Sequence, residues 1–255
     1  AGVTTLEAGR GNNITLDTST NNFAAAVVVA SGNNVEIRDE DAIDLGAVTV
    51  SGAYTVTAGG AVTDSGTQEI AGVTTISASG QNVTLNTATN NFAGAVRITG
   101  AAVTVVDEDA IDLGDSTVSG TYAVTATAGG NITDSGVLAI TGAATFTAAN
   151  SQSVYLDNAN TFSNTVTFSS GGTLANVTVS DSNDFDLAAL TLSGNLIATS
   201  TGGSITDSGA LAITGTTTLV TSANDATITL NETSNAFTGA VTITTNDNSG
   251  TDADV

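Results

Sequence analysis

Three near-copies of one block of about 70 residues fill this chain, and each carries the same phrase. Thr63-Asp64-Ser65-Gly66 recurs at Thr133-Asp134-Ser135-Gly136 and at Thr206-Asp207-Ser208-Gly209. A fixed period of this kind is the mark of a stacked repeat architecture, in which no unit buries its apolar face alone. Blocks fall at 1–70, 71–140 and 141–213, with a partial fourth at 214–255. Together they read as one continuous body, because each repeat of a solenoid is completed by its neighbours.

Each block divides into three sub-repeats of unequal length. The first covers Asn13–Asn33, Asn82–Ala101 and Ser153–Ala175. The second covers Asn34–Gly52, Ala102–Gly120 and Asn176–Gly194. The third and longest covers 53–81, 121–152 and 195–225, and a further copy of the first begins near Ala226. All consist of short alternating runs, such as Ile14-Thr15-Leu16-Asp17 and Val35-Glu36-Ile37-Arg38, broken by Gly, Asn, Asp or Ser. Period-two alternation rich in Val, Ile and Thr predicts half-buried strands, and no segment sustains a helical period. Proline is absent and glycine abundant.

Strands this short bury a core only if the chain coils and stacks them about 4.8 Å apart. The expected fold is therefore all-β: a single-stranded parallel β-helix, right-handed as parallel crossovers are. With roughly 20–30 residues per coil it has about eleven turns and a length on the order of 50 Å. The second sub-repeat predicts the inward face. Val35 and Ile37 align with Val103 and Val105, then with Val177 and Val179. Ile43 and Leu45 align with Ile111 and Leu113, then with Phe185 and Leu187. Ser116 breaks the pattern where Val48 and Leu190 stand. Phe23, Phe92 and Phe237 occupy matched places, as do Tyr54 and Tyr122, and are expected to stack as ladders in the core or on the surface.

Composition narrows the function. Arg10, Arg38 and Arg97 are the only basic residues against 25 acids, for a formal net charge of −22. Such a surface repels phosphate backbones and anionic lipid. Nucleic acid is not an expected partner. No run of about 18 apolar residues exists, so membrane insertion by a helix is not expected either. No signal-peptide pattern is present in this stretch. Without histidine, lysine or cysteine, Ser–His and Ser–Lys nucleophilic systems and thiolate metal sites are excluded. Thr-Asp-Ser-Gly resembles an aspartic-protease phrase, but that chemistry needs two carboxylates sharing a proton, whereas Asp, Ser and Gly at a repeating turn serve the backbone. Carbohydrate-active chemistry by paired acids is a remote alternative. The expectation is that this is not an enzyme.

The sharpest candidate site is Asp39-Glu40-Asp41-Ala42-Ile43-Asp44, repeated as Asp107-Glu108-Asp109-Ala110-Ile111-Asp112 and weakened to Asp181-Ser182-Asn183-Asp184-Phe185-Asp186. Hard cations take six to eight oxygens. Asp39, Asp41 and Asp44, with Asp107, Asp109 and Asp112 as their copy, are thus possible calcium ligands. The glycine-aspartate nonapeptide of calcium-binding β-rolls is absent, and the plainer reading is a solvated acidic turn. With equivalent loops taken as three turns apart, about 14 Å of axis prevents two copies sharing one ion. No other cofactor is expected.

Paired asparagines at Asn12-Asn13, Asn21-Asn22, Asn33-Asn34 and Asn90-Asn91 suit bends, and suggest amide ladders along the axis. Five Asn-x-Thr sequons arise from the same Asn-before-strand pattern and do not imply glycosylation. Thr-x-Thr runs raise ice binding, which the irregular period argues against.

Asn82-Val83-Thr84-Leu85, Gly94-Ala95-Val96 and the run from Ile132 to Gly142 resemble the β-strand-repeat and filamentous-haemagglutinin-type adhesins of bacteria. The likeness covers essentially the whole chain. It implies an extracellular or cell-surface stalk, a stiff structural spacer in a filament or adhesin. The implied partners are neighbouring repeats of the same long chain, with head-to-tail or lateral self-association and a host or matrix glycan or protein as further candidates. A glycan- or calcium-binding adhesive module is the alternative. Ala1-Gly2-Val3-Thr4-Thr5 matches the interior phrase Ala71-Gly72-Val73-Thr74-Thr75, and a new strand is expected at Asp254-Val255, so the chain reads as a window of a longer array.

Overall fold

The computed structural model describes residues 2–246; the strand start expected at Asp254-Val255 lies outside them. Among the described residues every named element is a strand and every strand pair is parallel. The chain coils about twelve times into a β-solenoid, and its coils build two long sheets, with a third, three-stranded sheet formed by Leu190–Leu192, Leu211–Ile213 and Ala236–Phe237. The first sheet begins Thr4–Glu7, Val27–Gly32, Ile43–Val50, Val62–Asp64, Val83–Leu85, Val103–Asp107. The second begins Ile14–Leu16, Val35–Asp39, Tyr54–Ala58, Thr74–Ser77, Val96–Gly100, Ile111–Leu113. Register partners lie 17 residues apart at Val96↔Leu113 and 24 apart at Thr217↔Val241. The coil is therefore tighter than most of the expected range.

A side of the coil is either one straight strand or two short ones around a bend. Ile43–Val50 carries both Val62–Asp64 and Gln68–Ile70 on its edge. Val96–Gly100 carries both Ile111–Leu113 and Ser116–Val118. The bend in the second case leaves the Ile98 N–H without a ladder acceptor. Ser116 fills the gap: its buried hydroxyl oxygen accepts from Ile98 N at 3.0 Å and donates to the Gly114 carbonyl at 3.0 Å. The serine that broke the apolar pattern thus replaces a backbone bond.

The block does not contain a whole number of turns. Ile14–Leu16 lies in the second sheet, but its block copy Val83–Leu85 lies in the first and the next copy, in Val154–Phe162, in the second again. Between Ile14 and Val83 the chain visits the sheets alternately at Val27, Val35, Ile43, Tyr54, Val62 and Thr74, which makes seven half-turns per block. The first and second sub-repeats are single turns; the third, at 53–81, is a turn and a half. Successive copies of every motif therefore sit three and a half turns apart on opposite sides. This corrects the three-turn spacing expected from sequence.

Between the sheets runs one apolar core. Val35, Ile37, Val103, Val105, Val177, Val179, Ile43, Leu45, Ile111, Leu113, Phe185 and Leu187 are all buried, as the alignment predicts. Tyr54 and Tyr122 are core residues, and Tyr122, Phe146, Phe162 and Phe168 pack with centroids 5.9 to 6.1 Å apart. Side chains at the intervening positions face outward, giving the repeated pattern of alternate burial.

Candidate functional site

The chemistry-bearing residues gather at the corners where the chain passes between sheets, and their first task there is to hold successive coils together. Each acidic turn opens with an aspartate that is not solvated. Asp39 is 2% exposed and Asp107 and Asp181 are fully buried. Asp39 accepts from Phe23 N at 3.0 Å and Asp41 N at 3.1 Å. Asp107 accepts from Phe92 N at 2.9 Å and Asp109 N at 3.0 Å, and Asp181 from Phe162 N and Asn183 N, both at 3.1 Å. Phe162 thus fills the place that Phe23, Phe92 and Phe237 marked, a match hidden because the strand entering it is continuous. The expected solvated turn is corrected at its first residue: the carboxylate fastens the turn to the corner of the preceding coil.

The last aspartate of the same phrase meets the Thr-Asp-Ser-Gly motif one coil later. Ser65 donates to Asp44 Oδ2 at 2.8 Å and Ser135 to Asp112 Oδ2 at 2.7 Å; Ser208 donates to Asp186. The motif's own aspartate bonds forward again. Asp134 accepts from Asp157 N at 3.0 Å and from Asn160 Nδ2 at 2.7 Å, while Asn160 Oδ1 accepts from Leu138 N at 2.8 Å. Asp64 holds Asn86 N, Thr87 N and Asn90 Nδ2 in the same way, and Asp207 holds Asn231 N and Asn235 Nδ2. The motif's glycine has a packing reason: a Cβ on Gly66, Gly136 or Gly209 would collide with the backbone of the coil beneath. Successive copies of the motif's aspartate lie on opposite sides, about 17 Å apart along the axis, so they do not form a proton-sharing pair.

Asparagine ladders are present in a different form from the one expected. Asn34 Oδ1 accepts from Ala53 N, and Asn176 Oδ1 from Asn195 N, whose own Oδ1 accepts from Thr216 N. These three amide oxygens cap backbone N–H groups, while Asn33 Nδ2 donates to Asn13 Oδ1 in an amide–amide bond.

Outside the fastened residues the acidic turn borders an open recess. Asn22, Phe23, Ala24, Asp41, Ala42 and Asp44 line one of about 360 Å³. Phe162, Ser163, Asn164, Asn183, Asp184 and Asp186, the same positions two blocks later, line another of about 640 Å³. Asp41 is exposed and accepts from Asn22 Nδ2 at 2.9 Å. Asp109 is also exposed, and Asp44 and Asp112 are half-buried against their serines. Asp39 and Asp107 thus spend oxygens on backbone N–H groups. Among the described residues no group of three or more carboxylates is arranged to hold a metal ion. What faces solvent here hydrogen-bonds hydroxyls or attracts cations loosely.

Accordingly, millimolar calcium is expected to raise the thermal midpoint only slightly, through screening, and magnesium to match it. Titration calorimetry showing about one saturable calcium per acidic turn, absent with magnesium, would instead establish a site at Asp39, Asp41 and Asp44 and its copy at Asp107, Asp109 and Asp112.

Burial acts on three of the fastening carboxylates. It pushes Asp107 up to about 6, against the pull of the Asp109 and Phe92 N–H groups. It raises Asp134, opposed by Asn160 and Asn158, and it raises Asp181. A carboxyl raised in the folded state holds its proton where the unfolded chain has released it. Its stabilising share is complete below the unfolded value near about 4 and is lost as pH rises through the folded value. The thermal midpoint is therefore expected to rise between pH 7 and pH 5, with a shallower slope in Asp107→Asn. Circular dichroism melts at the two pH values check this, and a falling midpoint contradicts it.

With this geometry established, comparison with known families gives one match. A family model described as repeats of unknown function, DUF5649, matches residues 1–30, 32–99, 100–169 and 174–244. The chain belongs to the DUF5649 repeat family. No curated protein and no solved structure matches it significantly. The DUF5649 matches follow the 70-residue block, so each family unit amounts to about seven half-turns of this coil.

Proposed function

We propose that this DUF5649 segment is a shaft: a stiff spacer within a large extracellular bacterial surface protein of adhesin or matrix type. The observation that carries the reading is the unbroken parallel pairing of both sheets through about twelve turns around one core. Each coil is also fastened to the next by the same aspartate, serine and asparagine bonds in every block. Chemistry at the corners is largely consumed in this fastening, which suits a load-bearing rod more than a catalyst. Neighbouring repeats of the same long chain are its natural partners. The strong acidity supports solubility of a long shaft and repels other anionic surfaces.

A second reading, an adhesive module for glycan, is supported by the two block-equivalent recesses, whose amides and carboxylates suit sugar hydroxyls.

Duplicating residues 71–140 once and then twice tests the shaft. Small-angle scattering should show about 17 Å of added length per block at constant cross-section. In the bacterium that encodes the chain, antibody to this segment should label intact cells. A compact particle that thickens instead of lengthening overturns the rod, and labelling only after lysis overturns the surface assignment.

A further inference from the structure

The irregular period of the Thr-x-Thr runs in sequence disappears on the sheet faces of the coil. Insertions of different length are taken up at the corners, so outward side chains stay in register although the repeat length varies. On the first sheet, Thr63, Thr84, Thr104, Ala123, Thr145 and Thr167 are consecutive partners over six turns. A second column, Val106, Thr125, Thr147 and Ser169, runs beside it over four of those turns. These side chains are the outward, partly exposed members of strands whose alternate residues are buried.

Two further features mark this face. The chain carries 28 charged residues, 3 basic and 25 acidic, yet neither column contains one. On the second sheet the early threonines, Thr55 with Thr57 and Thr75 with Ser77, stack between Glu36 with Arg38 and Arg97. Later columns there, Thr178, Ile197, Thr218, Thr242 and Ser180, Thr199, Val220, Thr244, are also uncharged but are interrupted by the bulkier Ile197 and Val220. The columns are also geometrically stiff. Threonine and valine are restricted at χ1, and Thr147 and Ser169 are joined by a lateral hydroxyl bond of 2.7 Å.

We propose that this two-column face of the first sheet, centred on Thr125, Thr145, Thr147 and Thr167, adsorbs to ice. Parallel strands set its groups about 4.8 Å apart along the axis, and alternate residues about 6.7 Å apart along each strand. Water oxygens on the prism faces of ice repeat at two perpendicular distances of this same order. Methyl groups at regular spacing order the water above them, and the hydroxyls between them hydrogen-bond that water into place. Ala123 and Val106 keep the methyl and lose only the hydroxyl. Charge would oppose adsorption, because ions are rejected from the ice lattice, and the stretch from Thr84 to Thr167 has none; the first carboxylate in the column is Asp44, one turn before Thr63. The ligand is crystalline water itself, and the inference stands apart from the shaft reading, which concerns what the coil carries and where.

The test uses the whole 255-residue chain in a nanolitre osmometer and in a recrystallisation assay. The expected result is faceted crystals, a measurable gap between melting and freezing, and arrest of recrystallisation. Thr147→Tyr should abolish the freezing gap. Thr55→Tyr, the same change on the opposite sheet, should leave it within twofold of the parent, with circular dichroism confirming that both variants fold. Unfaceted discs growing in the parent protein overturn the proposal. So does equal weakening by both substitutions, which would move activity off this face. Sedimentation showing a dimer that Thr147→Tyr dissociates, without ice shaping, would give the face to a second copy of the chain.

Discussion

Ile111→Asp is expected to unfold the middle of the solenoid, while Asp112→Asn next to it is expected to be almost silent. Ile111 is 1% exposed and pairs with Ile132 in the second sheet. Replacement puts a carboxylate among apolar side chains with no basic group in the core to pair with it. An unpaired buried charge costs several kcal/mol, even after it protonates or drags in water. Asp112 faces outward and holds the Ser135 hydroxyl, a bond an asparagine oxygen also accepts. Changes of that kind stay within about 0.5 kcal/mol. In a nearest-neighbour stack the damage concentrates in the adjoining coils. The check is a melt of each variant with hydrogen exchange by segment: Ile111→Asp should expose residues near 96–140 well before the ends. Equal melting of the two variants would mean that the inward and outward faces have been exchanged.

Asp134→Ala is the second large effect, and its interest is that the lost group looks like a surface turn residue in sequence. Its carboxylate takes Asp157 N, Asn158 N and Asn160 Nδ2. Removing it strands the buried Asn160 amide and two partly buried backbone donors, at about 1–3 kcal/mol for each left unsatisfied. A loss of about 3 kcal/mol is expected, somewhat less than the donor count suggests because burial already disfavours the ionised form. Asn160→Ala should lose a similar amount, and the double variant little more than either alone, because both belong to one network. Additive losses would show that Asp134 and Asn160 act separately. The same cycle at Asp64 with Asn90 should behave alike, since the network recurs there half a turn out of phase.

The strands and their inward residues were legible because burial is written into each strand locally. A residue such as Ile37 or Val179 announces its side by the polar neighbours that alternate with it. The repeated phrases were also legible as motifs, and Ser116 as an exception. Their partners were not. Asp64 bonds to Asn90, 26 residues later, and Ser65 to Asp44, 21 residues earlier. Such pairs exist only once the coil length is set, and the coil length is not the period of the sequence. The acidic turn shows the same limit: Asp39 and Asp41 are two residues apart and chemically identical, yet one is buried as a fastener and the other stands in solvent.

By itself, then, the sequence determined that this chain is a parallel β-solenoid with a continuous apolar interior, since alternation and repetition are local properties. Tertiary structure alone decided that a block spans seven half-turns. That number depends on how many residues each corner absorbs, and corners lack the strand alternation from which a half-turn is read. From it follow the placing of like motifs on opposite sides, the fastening role of the aspartates, and the uncharged threonine columns drawn into register on one face.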